Sequence, residues 1–226
     1  HSIAAMLPPR YLNGSPIPEL LAGVAFAWLA ARRSGSVDAR LVVLLRLLRF
    51  LPTDLPAALR AWLIQAIRLA LKDVDPVQQA YAARDLGLIM INYGAWDDAS
   101  THLHRASQSL GALGDGYHAL ECMSEWHSAQ LHRGDFSAAA GDVARTEARA
   151  RQMNQPSILR WTLLLRLQLW LRTGGGSPDE MQACLTEIQA IPAYKSPVEE
   201  LSVRGHGSLL ACRHAQGGEV LADRKS

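Results

Sequence analysis

The stretch YGAWDDASTHLHRAS runs from Tyr93 to Ser107, and RGDFSAAAGDVARTE runs from Arg133 to Glu147, forty residues later. Aligned on the glycine, Gly94-Ala95-Trp96 followed by Ala99, Leu103 and Ala106 matches Gly134-Asp135-Phe136 followed by Ala139, Val143 and Thr146. A third copy agrees once two glycines are inserted, so that Gly176 is followed by Met181, Leu185 and Ile188. The apolar positions fall three and four apart, the spacing that lines one face of an α-helix, and each series follows a glycine suited to leaving a helix. The pattern predicts a helix, a turn and a second helix, written three times.

Outward from this repeat the same periodicity continues. PELLAGVAFAWLAARR from Pro18, AALRAWLIQAIRLALKD from Ala57 and SILRWTLLLRLQLWLR from Ser157 place apolar residues three and four apart with almost no β-branched alternation, which predicts an all-α fold. Three helix starts are explicit: Asp75-Pro76-Val77-Gln78, Ser177-Pro178-Asp179-Glu180 and Ser196-Pro197-Val198-Glu199. Each offers a capping side chain, a proline where its missing N–H costs nothing, and a Glu or Gln able to reach back. Glycines at Gly94, Gly134, Gly174 to Gly176 and Gly217 to Gly218 mark the other ends. About ten helices with short turns between them favour antiparallel hairpins.

In front of the first turn, Leu86-Gly87 puts a small residue where two helices can approach closely. Together with the Ala, apolar, Ala series of the second helix, this resembles the tetratricopeptide pattern over roughly residues 75 to 226. Several positions depart from it. Ala83 stands where that family prefers Trp, His127 takes the small-residue position of the second copy, and the period is about 40 rather than 34 residues. Longer, degenerate repeats of this kind are similar to those of bacterial signalling proteins, including MalT-like regulators and nucleotide cyclase or GGDEF proteins with a helical sensor region.

The resemblance implies a right-handed superhelix, an α-solenoid of antiparallel hairpins, whose first helices line a groove. Carried over by position, the lining is Tyr81, Arg84, Leu88, Ile91 and Asn92, then Glu121, Ser124, Ser128, Leu131 and His132, then Trp161, Leu164, Gln168, Leu171 and Arg172. Arg84, Asn92, His132, Gln168 and Arg172 would fix a carboxylate, a peptide backbone or a small polar ligand, and Tyr81 and Trp161 would give apolar anchoring area. The alternative for the same residues is structural: Tyr81 and Trp161 as core, Arg84 and Arg172 paired with acids on a neighbouring helix.

Composition bounds the function. Apolar residues are 49% and charged residues 19% of a 24.7 kDa chain, the balance of an ordinary globular protein. The longest apolar runs, at Leu20 and Leu41, fall short of the roughly 20 residues that cross a bilayer. Cys122, Cys184 and Cys212 are an odd number at wide spacing, which fits a reducing cytoplasm better than a disulfide framework. A net charge of +2 argues against nucleic acid as the partner. Residues 1 to 72 carry nine Lys or Arg against three acids, net +6, leaving 14 against 18, net −4, for the remainder. The basic third suits an acidic partner, or is simply the solvated face of very apolar helices.

Catalytic chemistry finds little support. His102 and His104 lie two apart on a helix and point to different faces; His118 and Cys122 share a face but make only two metal ligands. His127 beside Trp126 reads as a buried or interface imidazole, since no triad partner stands a turn away. Asp97-Asp98 lacks a second acidic cluster, TGGGS at Thr173 lacks the Lys of a phosphate loop, and RGHGS at Arg204 has the wrong spacing for a nucleophile elbow.

The organisation expected is a tag scar and extension over residues 1–17, N-terminal helices that are degenerate repeats or a cap over 18–73, and tetratricopeptide-like repeats over 74–226. The function expected is a non-enzymatic, cytoplasmic sensor or interaction module of a larger bacterial signalling protein. No cofactor is expected, and its partner is a protein, a peptide or a small polar ligand. An effector domain following GGEVLADRKS is part of that expectation. Two other readings stay open. One is a homo-oligomerisation scaffold, a homodimer for instance, with LVVLLRLLRFL at Leu41 as the contact face; the other is an enzyme on a helical scaffold.

Overall fold

In a computed structural model the residues described are 26–50, 57–192 and Gly205. The expected extension at residues 1–17, the helix start at Ser196, the glycines Gly217 and Gly218, Cys212 and nearly all of RGHGS lie outside them. Every regular element among the described residues is helical: helical residues 26–33, then α1 (Val37–Phe50), α2 (Ala57–Ala70), a 3-10 turn (Leu71–Asp73), α3 (Pro76–Asn92), α4 (Trp96–Ala112), α5 (Gly116–Arg133), α6 (Phe136–Gln152), α7 (Pro156–Thr173) and α8 (Pro178–Ala190). The chain divides into two compact units at Gly114.

In the first unit α1 packs against α2 and α3, and α3 pairs with α4. The 3-10 turn hands the chain to Val74 in extended conformation, and Asp75 then starts α3 by accepting from the N–H groups of Val77 and Gln78 at 2.8 and 3.0 Å. Such a cap is worth about 1 kcal/mol, and Pro76 behind it gives up no hydrogen bond. Tyr93, closing α3, donates its hydroxyl to the Leu48 carbonyl of α1 at 2.8 Å, and the Arg60 guanidinium of α2 lies 5.0 Å over its ring. One aromatic side chain thus pins three helices together.

Most apolar side chains described in the run LVVLLRLLRFL lie in the core, Val42 being the exposed one. Leu41, Val43, Leu44, Leu45 and Leu48 are buried, because α1 is covered by α2 and α3. Exposed apolar side chains among the described residues include Phe26, Leu29 and Val42, and, two turns apart on the same side of α2, Trp62 and Leu69.

In the second unit α5 pairs with α6, α7 packs against both, and α8 covers α7. With three neighbours α7 is covered along most of its length: Ile158, Leu163, Leu164, Leu165, Leu167 and Leu169 are all buried. Its leucines divide between two clusters, Leu165 and Leu169 with Leu131, Ala139 and Val143, and Leu163, Leu164 and Leu167 with Met181, Cys184, Leu185 and Ile188. Ser177 starts α8 with a reciprocal capping box, its hydroxyl accepting from Glu180 N–H while the Glu180 carboxylate accepts from Ser177 N–H. Those hydrogen bonds hold the exposed Glu180 carboxyl below its usual range.

The three series that follow the aligned turns are buried at every position: Ala99, Leu103 and Ala106; Ala139, Val143 and Thr146; Met181, Leu185 and Ile188. The turns before the first two of these series, and the one ending α7, each hold a glycine in the left-handed region, at Gly94, Gly134 and Gly174. Asn154, between α6 and α7, is the single non-glycine with positive φ among the described residues, and Asn tolerates that conformation better than other side chains.

Candidate functional site

Of the five positions carried to α3, Tyr81, Arg84 and Asn92 lie on one helix face of the first unit. Tyr81 and Arg84 are half-buried and Asn92 is exposed. Arg84 donates to the neighbouring Asp85 at 3.1 Å, so its charge is already answered within the helix.

On α5 the expected stripe runs mostly into the interior. Ser124, Ser128 and Leu131 are buried, and Ser124 Oγ lies 3.3 Å from Thr162 Oγ1 of α7. Both hydroxyls also donate to carbonyls one turn back on their own helices, those of Leu120 and Ile158. A contact of this kind joins helices rather than a ligand. Glu121, half-buried, and His132, exposed, are the α5 members that reach solvent.

On α7, Trp161 is a wedge. It packs against both leucine clusters of the second unit, and its buried Nε1 has no hydrogen-bond partner among the described residues. Its packing is that of the core alternative, with the side chain only partly buried. Gln168 is half-buried, and Arg172 at the end of α7 is exposed.

Two of the expected residues are brought together. Arg172 Nη1 donates to the Leu131 carbonyl at 2.7 Å, closing the last turn of α5, which has carbonyls without helical partners. That places its guanidinium beside His132, whose pKa is lowered first by burial and then by the Arg172 charge. The corner therefore pairs an imidazole with a permanent cation at the surface.

Two polar features of the same unit, each with a buried member, left no sign in the sequence pattern. Glu147, buried on α6, accepts from Arg151 Nη2 at 3.0 Å and from Arg166 Nη1 of α7 at 2.6 Å, and Arg151 Nη1 continues to Glu187 of α8 at 2.5 Å. The chain of charges ties three helices and holds the Glu187 carboxyl below its usual range, chiefly through the Arg151 hydrogen bond. Arg160, 4% exposed on α7, keeps Nε and Nη1 without partners among the described residues. A helix apolar all round hides such residues from a periodicity argument.

The residues set aside as non-catalytic fall as follows. His127 is fully buried, with Nε2 2.9 Å from Thr146 Oγ1 and Nδ1 3.3 Å from Gln130 Oε1, and burial pushes its pKa down to about 4. His104 and His102 are half-buried, the former 2.9 Å from Gln108 and the latter held down by burial, then by Arg68. His118 Nδ1 lies 2.7 Å from Asp115, the residue capping its own helix, and Cys122 is buried. Among the described residues no three His, Cys, Asp or Glu side chains form a group that could hold a metal ion, and no helix is long and apolar enough to cross a membrane.

No family model and no curated protein matches this chain.

Proposed function

We propose that the chain is a non-enzymatic binding module built from tetratricopeptide-like hairpins, acting as the sensor or interaction region of a larger cytoplasmic bacterial signalling protein. The observation that carries this reading is the packing of α7 on both helices of the preceding hairpin, with α8 in turn on α7. Stacking of that sort buries the apolar face that a lone hairpin would expose. The starts of α3, α5 and α7 at Pro76, Gly116 and Pro156 fall forty residues apart, which supports a period of about that length. The α-solenoid architecture belongs to the same reading.

The working surface of the second unit is then Glu121, His132, Gln168 and Arg172, and its partner is a peptide or small polar ligand with a carboxylate or carbonyl for the His132–Arg172 corner. The test is capture from bacterial lysate, read by mass spectrometry, on the chain and on a Glu121→Ala, His132→Ala, Gln168→Ala variant. The variant leaves Arg172 in place to close α5. Species retained by the chain and lost from the folded variant support the reading; identical retention by both overturns it.

A second reading, a homo-oligomerisation scaffold, rests on Trp62 and Leu69, which are 58% and 52% exposed on one side of α2. Sedimentation shows a dimer dispersed by Trp62→Ser if that reading holds, and a monomer at every concentration if it does not.

A further inference from the structure

The hairpin of α3 and α4 is pinched at one level and hollow at another. At Gly87 a Cβ would lie 2.6 Å from Leu103 Cγ and 3.2 Å from the Leu103 backbone nitrogen, so the helices touch there through a missing side chain. Toward the end away from the Tyr93–Ala95 turn, between the first half of α3 and the last half of α4, lies a cavity of about 270 Å³. Its lining includes the methyl groups of Ala80, Ala83 and Ala112 and the exposed Leu113 side chain. Alanines face it from both helices, and Ala83 is a position where the repeat pattern calls for a bulky side chain.

Polar groups come from both helices. Arg105 and Ser109, a turn apart on α4, line the cavity, and Arg105 makes no ion pair among the described residues. Gln79 spends its amide N–H on the Val74 carbonyl, which leaves its oxygen as an acceptor. An alanine-lined hollow with one uncompensated cation at its rim is complementary to a molecule with an apolar tail and a single negative head. It is concave and mostly apolar with a few convergent polar groups, the usual character of a small-molecule site.

We infer that the α3–α4 hollow binds a small amphipathic carboxylate, its tail on Ala80, Ala83 and Ala112 and its head on the Arg105 guanidinium and Ser109 hydroxyl. This site lies wholly in the first unit and shares no residue with the surface proposed above, so either can fail alone.

The test is titration of the whole chain with sodium octanoate, followed by the alanine methyl resonances in NMR. The expected result is saturable shifts at Ala80, Ala83 and Ala112, with binding about fivefold weaker for 1-octanol or for Arg105→Gln, as a partly solvated charge pair gives. Ala83→Leu, which fills the hollow, abolishes the shifts. Ala112→Phe does the same from an exposed position that the fold tolerates, so the result does not depend on Ala83→Leu folding. Absence of saturable shifts overturns the inference, as does a titration unchanged by Arg105→Gln and by both filling substitutions. Octanol binding as tightly as octanoate removes the carboxylate from the proposal and overturns it as stated.

Discussion

Where α3 has Gly87, α5 has His127 forty residues on, and where α4 has Ala106, α6 has Thr146. In the first hairpin the small residue brings Leu103 of the neighbouring helix against bare backbone. In the second a full imidazole occupies the equivalent place, and its Nε2 meets Thr146 Oγ1 at 2.9 Å across the helix pair. Both sites are fully packed, one by dispersion at short range and one by a desolvated hydrogen bond. The comparison teaches that this register demands a filled contact and not a residue type. The two partners have to change together, because small with small and polar with polar each close the gap while a mixed pair leaves a void or an orphan.

The largest expected effect comes from breaking the polar version. His127→Ala removes a fully buried side chain, opens a cavity, and strands both Thr146 and Gln130, so urea unfolding should report a loss of about 3 kcal/mol. A loss below about 1 kcal/mol would mean that the two helices close as they do at Gly87, and the contrast would disappear.

A pH effect of comparable size belongs to the same hairpin alone. His127 has a folded pKa of about 4 against an ordinary 6.5, lowered first by burial. Between those values the unfolded chain binds a proton that the folded chain refuses. Stability therefore falls as pH drops from about 6.5 toward 4, by up to about 3 kcal/mol in the limit of full burial. Thermal unfolding of the chain and of His127→Gln over that window should differ in slope, the variant being flatter.

Gly87→Ala tests the other hairpin. The added methyl gains about 1 kcal/mol in helix propensity but overpacks against buried Leu103, at a cost of about 1–3 kcal/mol, so a net loss of about 1 kcal/mol is expected. A stabilised variant would show that Leu103 has room to retreat. The smallest effect is Thr146→Val, close in volume, which leaves the His127 Nε2 unanswered at about 1 kcal/mol. A double mutant with His127→Leu should recover part of that loss, because both polar partners then go together.

The helix starts were legible because caps are local: Asp75 and Ser177 announce themselves within four residues, and both side chains accept from the first turn of their helix, with the reach-back of the third residue seen at Glu180. The buried series Ala99, Leu103 and Ala106 and its two counterparts was legible because a second helix of a hairpin keeps one dry face. The first helices were harder. On α5 and α7, covered on several sides, counting positions could not separate a groove stripe from an interior one, so Ser128 and Trp161 sat in the same expected set as His132 and Arg172. The Glu147 network escaped for a different reason. Its members lie on three helices, and only packing brings Arg166 and Glu187 to the two sides of one charge chain.

Cys122 and Cys184 are both buried, one in the middle of α5 and one in the middle of α8. Burial also pushes the Cys184 thiol up, away from the reactive thiolate. Neither sulfur can meet an alkylating reagent until its helix opens, so each is a clock for its own region. Brief exposure to iodoacetamide, with the cysteine peptides resolved by mass, times the opening of α8 separately from that of α5, without any label having to be introduced.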